Sequence, residues 1–194
     1  MLVSDVSSCF LSEPMDVTKY GFVYGGVQKN IGPAGVVIGI LREDLITDNV
    51  YPNTPTMLRY KTYADNGSMY NTPPCYNIYI CGKVFQWLLN QGGLEVMQRR
   101  NEEKAKILYD YLDESQLFHG TVEKRDRSLM NVTFVTGNDE LNAKFVAEAD
   151  AVGFKNLKGH RSVGGMRASI YNAMPKAGVE ALVNFMDDFE KKNR

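Results

Sequence analysis

The sequence predicts an α/β fold, because short apolar strands and amphipathic helices follow one another along the chain. Residues 34–41 (AGVVIGIL) are nearly all apolar, which is typical of a strand buried on both faces. Residues 139–153 (DELNAKFVAEADAVG) instead space their apolar side chains as an amphipathic helix does. With 194 residues, of which 44% are hydrophobic, the chain has enough apolar side chains for a packed core.

Three strands are predicted in the first part of the chain. Residues 2–6 and 21–25 form short strands, and residues 34–41 form a longer, fully buried one. Residues 43–70 contain clusters of Asn, Pro, Thr and Tyr, which favour an extended loop region.

Two consecutive helices are predicted after that loop. The first begins at Thr72 as its N-cap, with proline in the first turn, and it ends at the pair Gly92 and Gly93. The second follows at once, with charged residues on its other faces. Its helical spacing is marked by Leu94, Met97, Asn101, Lys104, Ala105, Leu108, Tyr111 and Leu112.

The pattern then changes to a smaller α/β unit, so a domain boundary is expected near residues 92–95. This divides the chain into domains 1–93 and 94–194. In the second domain the helix at residues 139–153 is accompanied by strands at residues 128–136, 154–159 and 166–173. A closing helix presents Val179, Leu182, Val183, Met186 and Phe189 on one face.

Charge and cysteine content exclude several classes of function. The 22 basic and 23 acidic residues nearly cancel, so neither a nucleic-acid nor an anionic membrane surface is expected. No apolar run approaches the roughly 18 residues of a transmembrane helix. Three cysteines without CxxC spacing and two histidines without an HExxH pattern predict no metal site, and a reducing, cytoplasmic setting.

Lys29 is the first residue with a possible chemical role. It stands between a Gly-Gly pair and an apolar strand, in the stretch GGVQKNIGPAGVVIGIL. One interpretation is a lysine that extends its ammonium group into water. The other is an amine in a partly desolvated cleft that forms a Schiff base, which suggests pyridoxal 5'-phosphate.

Asp5 is the candidate partner for such a cofactor, whose pyridine nitrogen needs a carboxylate to stay protonated. The residue lies in a short apolar strand, where a charge without a partner is costly. A buried cationic ring nitrogen would be that partner. The alternative is a strand-end carboxylate that caps Ser7 or Ser8.

Two further segments could bind anions. Asn71 and Thr72 offer side-chain donors at a predicted helix N-terminus, although ordinary helix capping explains them as well. His160 and Arg161 lie in a Gly-rich loop, followed by Arg167 between apolar residues of a strand. An arginine there can pair with a carboxylate through two hydrogen bonds. A solvated basic loop is the alternative.

Three blocks of sequence resemble the C-terminal half of the phosphoserine aminotransferases, which are class-V, fold-type I pyridoxal-phosphate enzymes related to aspartate aminotransferase. They are SDVSSCFLSEPMDVTKYGFVYGGVQKNIGPAG, SMYNTPP and LKGHRSVGGMRASIYNAMP. The resemblance covers essentially the whole chain, with QKNIGPAG and GHRSVGGMRAS as its most specific parts.

The resemblance implies a homodimer that transfers an amino group between glutamate and 3-phosphohydroxypyruvate, giving phosphoserine and 2-oxoglutarate in serine biosynthesis. It implies that Lys29 forms the Schiff base and moves the substrate proton, and that Asp5 pairs with the pyridinium nitrogen. Gln28 is then expected against the cofactor phosphate, and Asn71 and Thr72 against the phosphate held by the neighbouring subunit.

The substrate roles implied by the resemblance fall on the second domain. Arg167 is expected to hold the α-carboxylate, and His160 and Arg161 the side-chain phosphate or the glutamate γ-carboxylate. Members of the family are roughly twice this long. Residues 1–93 would then be the C-terminal part of the large cofactor-binding domain, and residues 94–194 the small C-terminal domain.

Two alternatives remain open at this stage. The chain could be a non-catalytic folded fragment or a dimerisation remnant of such an enzyme. It could also belong to a related aminotransferase for another small amino acid, although a neutral substrate side chain has no use for the cationic pair His160 and Arg161.

Overall fold

The computed structural model describes residues 1–193. The chain divides into two compact units, Met1–Asn90 and the part that begins at Gln91. Each unit has its own sheet and its own hydrophobic core. No helix in the described part of the chain is long and apolar enough to cross a membrane.

The first unit is built on a three-stranded sheet of β1 (Val3–Asp5), β2 (Phe22–Gly26) and β3 (Val37–Leu41). The central strand β2 runs parallel to β1 and antiparallel to β3, which confirms the three predicted strands. One face of the sheet covers a small core. Its buried members are Val6, Phe10, Val23, Val27, Ile31 and Cys81.

The expectation that residues 34–41 are buried on both faces is wrong for this chain. The side chains of Val37 and Ile40 in β3 are 68% and 40% exposed. A continuous apolar run therefore formed the strand as predicted, but the described residues leave side chains exposed on both of its faces, since Val37 and Ile40 point in opposite directions.

The region of residues 43–70 is also more regular than predicted. It contains single 3-10 turns at Glu43–Leu45 and Thr56–Leu58 and a short helix α1 (Tyr60–Asp65). The following helix α2 (Cys75–Asn90) begins three residues after Thr72, so the predicted N-cap at Thr72 is wrong.

The second unit begins at Gln91, directly before the glycine pair. Gly92 has a φ of 103°, a left-handed conformation that glycine adopts without strain and that separates α2 from the next helix. The elements of this unit are α3 (Gly93–Glu114), β4 (His119–Gly120), β5 (Asn131–Val135), α4 (Asp139–Ala151), β6 (Met166–Ser169) and α5 (Lys176–Asn193).

Strands β4, β5 and β6 form an antiparallel sheet in that order, and helices cover its apolar face. The centre of the core is an aromatic cluster in which the rings of Phe118 and Phe145 lie 5.0 Å apart, edge to face. The predicted apolar stripe of α5 is confirmed, since Val179, Leu182, Met186 and Phe189 are buried.

Two local predictions in this unit need correction. Residues 154–159 form no strand. They make only an isolated bridge between Lys158 and Met166, because Asn156 at a φ of 63° breaks the extended conformation. The two-residue strand β4 was not predicted, since two residues are too few to show an alternating pattern.

Candidate active site

Asp5 is the last residue of β1, and Ser7 holds its carboxylate. The backbone N–H and the hydroxyl of Ser7 both donate to Oδ1 of Asp5, at 2.9 Å and 2.6 Å. These two bonds, and to a smaller extent the positive charge of Lys29, hold the pKa of the Asp5 carboxyl below its usual range. Asp5 is therefore ionised, but it is exposed rather than buried in apolar surroundings as its strand position suggested.

Lys29 lies in a helical turn that follows β2. The N–H of Ile31 donates to the carbonyl oxygen of Val27 at 3.0 Å, and both side chains point into the core. This turn directs Lys29 outward, where its Nζ donates to Oγ of Ser8 at 2.9 Å. The partly desolvated environment expected for Lys29 is absent from the described residues, because the side chain is exposed.

A cleft of about 650 Å³ opens beside these residues. Asp5 and Gln28 line it, together with Ser7, Tyr24, Gly26 and residues 34–37. The side-chain amide of Gln28 lies directly over Gly26, in the space that a Cβ atom at that position would occupy. The volume is within the range of small-molecule sites.

A second cleft of about 910 Å³ lies along the same open face of the sheet. It shares Tyr24 and residues 35–37 with the smaller cleft, and Asn71 lines its polar part. The side-chain amide of Asn71 donates to the carbonyl oxygen of Thr72 at 3.3 Å, and both residues are exposed. Asn71 therefore lines the larger cleft, which shares four lining residues with the cleft beside Asp5. Thr72 lines neither cleft.

Arg167 lies in β6 of the second unit, opposite Thr133 in β5. Its side chain is partly buried, and its Nε has no hydrogen-bond partner within residues 1–193. On the same face of the sheet, Ser169 and Tyr171 both donate to Oδ1 of Asn131. A buried N–H that the described chain leaves unpaired is costly, and an added carboxylate would satisfy it.

His160 and Arg161 lie in the exposed loop that precedes β6. The carbonyl oxygen of His160 accepts hydrogen bonds from the N–H groups of Val163 and Gly164, which closes the loop into a tight turn. Nδ1 of His160 lies 2.7 Å from Oγ of Ser162. The side chains of His160 and Arg161 are both exposed to solvent on this turn.

The structure gathers the predicted residues into two groups. Asp5 and Gln28 share one cleft in the first unit, with Lys29 close enough to affect the Asp5 pKa. Arg167 and the His160 loop belong to the second unit. The sequence analysis named Ser7 and Ser8 only as residues that Asp5 could cap, and it did not name Tyr24. The serine pair shortly after Asp5 was the sequence signal for the contacts that Ser7 and Ser8 make.

Comparison with known proteins identifies the family. The sequence model of the aminotransferase class-V family matches residues 1–182. The chain belongs to the class-V aminotransferases. This class-V chain is 56% identical to the phosphoserine aminotransferase of Nitrosomonas europaea over 192 residues, which is 99% of this chain and 52% of that protein. It is also 56% identical to the chloroplastic phosphoserine aminotransferase 1 of Arabidopsis thaliana, over 99% of this chain and 45% of the relative.

Solved structures agree with the family assignment. The phosphoserine aminotransferase from Bacillus circulans superimposes with a TM-score of 0.93 at 48% identity, over 100% of this chain and 54% of that one. The pyridoxal-phosphate-bound enzyme from Trichomonas vaginalis gives 0.91 at 39% identity, over 96% and 53%. The predicted fold class, part of a fold-type I transferase, is confirmed, and the chain spans about half the length of the relatives it matches.

Proposed function

We propose that this class-V aminotransferase chain carries the lysine, the ring-nitrogen carboxylate and the substrate cations of a phosphoserine aminotransferase. The reaction is amino transfer between L-glutamate and 3-phosphohydroxypyruvate, giving O-phospho-L-serine and 2-oxoglutarate. The observation that carries the proposal is a cleft of about 650 Å³ lined by Asp5, with the amine of Lys29 close enough for its charge to lower the pKa of the Asp5 carboxyl.

The residues of the first unit fit pyridoxal 5'-phosphate. When bound, this cofactor supplies a ring that stabilises negative charge at the substrate α-carbon. Asp5 is ionised, so its carboxylate can hold a proton on the ring nitrogen. Lys29 would supply the amine that holds the cofactor, and it would also move the proton of the substrate α-carbon. Gln28 offers its amide to the phosphate, and Asn71 and Thr72 would contact the phosphate of a neighbouring subunit in a homodimer.

The residues of the second unit fit a substrate with two anionic ends. Arg167 has an unpaired, buried Nε–H and suits the α-carboxylate. His160 and Arg161 suit the phosphate or the γ-carboxylate at the other end. In this proposal residues 1–93 belong to the large cofactor-binding domain and residues 94–194 to the small domain. A cytoplasmic location stays a prediction, since one relative is named chloroplastic.

A second candidate is supported by the open face of the first sheet. Several large apolar side chains there and on neighbouring segments are exposed, among them Val37 at 68%, Leu58 at 70% and Tyr79 at 59%. Surface of this kind needs a covering partner. The 194-residue chain would then fold but be inactive by itself, and activity would require another polypeptide segment to cover this face.

The deciding experiment measures amino transfer from glutamate, first with the 194-residue chain and then with a longer polypeptide that contains it. The acceptors are 3-phosphohydroxypyruvate and pyruvate. We expect turnover with the phosphorylated acceptor and a strong preference for it over pyruvate. If the longer polypeptide is active and the 194-residue chain is not, the result favours the second candidate, in which the isolated chain is folded but non-catalytic.

The double variant His160→Ala/Arg161→Ala tests the substrate assignment. Loss of these two donors should reduce kcat/KM for the phosphorylated acceptor by about 100-fold and leave kcat/KM for pyruvate little changed, because pyruvate has no second anionic group. The value of kcat/KM for glutamate should fall as well, since its γ-carboxylate uses the same side chains. Arg125→Ala is the control, because this exposed arginine lies in a different turn. Equal use of both acceptors by the unaltered protein would contradict the proposed substrate.

A further inference from the structure

Ser7 makes three hydrogen bonds that join Asp5 to the strand leading to Lys29. Its N–H and its hydroxyl donate to Oδ1 of Asp5, at 2.9 Å and 2.6 Å. The same hydroxyl oxygen accepts the N–H of Gly26 at 2.9 Å. One side chain therefore bonds both to the carboxylate at the end of β1 and to the last residue of β2.

The approach of β2 to Ser7 is unusually close, which indicates that this contact is built into the fold. A Cβ atom at Gly25 would lie 3.3 Å from the backbone N and Cα of Ser7, and 2.8 Å from Cδ1 of Phe10. Only glycine allows the two segments to come this near without displacement. The close approach brings the N–H of the next residue, Gly26, within reach of the Ser7 hydroxyl.

Both donors of Ser7 reach the same oxygen of Asp5, so Oδ1 of the carboxylate is held against Ser7. The groups that face this carboxylate are Lys29 from the turn after β2 and Tyr24 from β2, which lies opposite Asp5 in register. All of them border the cleft of about 650 Å³ or the turn beside it. The side chain of Tyr24 also lowers the pKa of the Asp5 carboxyl through a hydrogen bond, as a smaller cause than Ser7.

We propose that Ser7 is a positioning residue for Asp5, which orients the carboxylate toward the ring nitrogen of a bound pyridoxal phosphate. The inference rests on the proposed function, because it concerns the same cleft. It assigns the orientation of Asp5 to Ser7 and not to Ser8, whose hydroxyl instead accepts a hydrogen bond from Lys29 at 2.9 Å. The lowered pKa of the Asp5 carboxyl, for which Ser7 is the largest cause, agrees with this role.

The first test uses the 194-residue chain without cofactor and follows the side-chain carboxyl carbon of Asp5 by ¹³C NMR during a pH titration. Ser7→Ala should move the titration midpoint of Asp5 upward, and Ser7→Thr, which keeps the hydroxyl, should restore most of the difference. Ser12→Ala is the matched control: it removes a hydroxyl bond to the carbonyl oxygen of Cys9 in the same loop and should leave Asp5 unchanged. If Ser7→Ala does not fold, Ser7→Cys carries the same expectation, because a thiol is a weak donor.

The second test measures pyridoxal phosphate binding to the same variants, by its absorbance in the longer polypeptide. Loss of a hydrogen bond to a charged group should weaken binding by about tenfold or more in Ser7→Ala, with rescue in Ser7→Thr. An unchanged Asp5 midpoint in Ser7→Ala overturns the inference, even if the enzyme is active. Equal cofactor affinity of Ser7→Ala and the unaltered protein also overturns it. The third outcome is a shifted Asp5 midpoint in Ser7→Ala together with no binding of pyridoxal phosphate by the unaltered protein. This outcome contradicts the proposed function and the role of Ser7 toward the ring nitrogen, although it confirms the contact between Ser7 and Asp5.

Discussion

Lys104 of α3 donates a hydrogen bond to the carbonyl oxygen of Tyr171 at 2.8 Å, from inside the core of the second unit. Its Nζ also donates to the carbonyl oxygens of Ile170 and Met174, both at 3.1 Å, while the residue is only 3% exposed. All three N–H groups of the ammonium are thus used, and each acceptor is a neutral carbonyl. One turn away on α3, Asn101 donates to Asn172 in the same segment. These bonds fix the chain between β6 and α5.

Replacement of Lys104 by methionine should destabilise the second unit by about 2–4 kcal/mol, because three carbonyl oxygens lose their donor at a buried position. Lys106→Met, on the exposed side of the same helix, should cost less than about 0.5 kcal/mol, since its ion pair with Asp110 is solvated. Hydrogen exchange of the β5 amides under urea measures both values. A Lys104→Met variant as stable as the unaltered chain would show that the ammonium is not needed there.

The pH dependence of stability should carry the signature of this lysine. Burial lowers the pKa of Lys104 from its ordinary 10.5 to about 8. Between pH 8 and pH 10.5 the unfolded chain therefore binds more protons than the folded one, so the contribution of Lys104 to the unfolding free energy rises with pH. The rise totals about 3 kcal/mol. The stability difference between the unaltered chain and Lys104→Met should widen across this window, and a constant difference would contradict the lowered pKa.

Arg167 should show opposite effects on stability and on ligand binding. Arg167→Met removes a buried, unpaired Nε–H and should leave the unfolding free energy unchanged or raise it by about 1 kcal/mol. In the longer polypeptide it should raise KM for glutamate about 100-fold, because a two-bond carboxylate contact is lost. Arg125→Met, an exposed arginine, should change neither. A large loss of stability with normal KM would mean that Arg167 has a structural role.

Gly165 and Gly164 provide a matched pair for the loop that carries His160 and Arg161. Both have left-handed backbones, with φ of 62° and 78°. A Cβ at Gly165 would lie 2.6 Å from Cγ1 of Val135, whereas a Cβ at Gly164 would meet nothing within 4 Å. Gly164→Ala should therefore cost about 1 kcal/mol for its backbone alone, and Gly165→Ala clearly more. Thermal unfolding compares them, and equal losses would contradict the close contact with β5.

Much of the fold could be predicted because apolar spacing is a local signal. Residues 21–25 became β2, and the stripe of α3 correctly included Asn101 and Lys104, both buried. The short helix α1 could not be predicted in this way, because its six residues, YKTYAD, show no helical repeat of apolar side chains. The strand predicted at residues 154–159 did not form because Asn156 has a left-handed backbone, which the spacing of apolar residues does not reveal.

The sequence predicted which residues belong to the candidate site, but it did not predict how exposed their side chains are. Lys29 and Asp5 were expected in a desolvated cleft, whereas the structure exposes both side chains and holds them through Ser8 and Ser7. The open face of the first sheet explains the difference, since an apolar run such as β3 does not show which elements will cover it. The interstrand contact of Ser7 with Gly26 joins residues 19 positions apart and leaves no spacing pattern.

The measurement that tests the central claim most directly is a covalent adduct on Lys29. Pyridoxal phosphate is mixed with the purified 194-residue chain, borohydride is added, and the modified residue is located by intact mass and peptide mapping. We predict one stable adduct on Lys29 and its loss in Lys29→Ala, with Lys61→Ala, at a partly exposed lysine of the same unit, as the control. An adduct spread over many lysines, or none in both the chain and a longer active polypeptide, would contradict the assignment of Lys29 as the cofactor-binding amine.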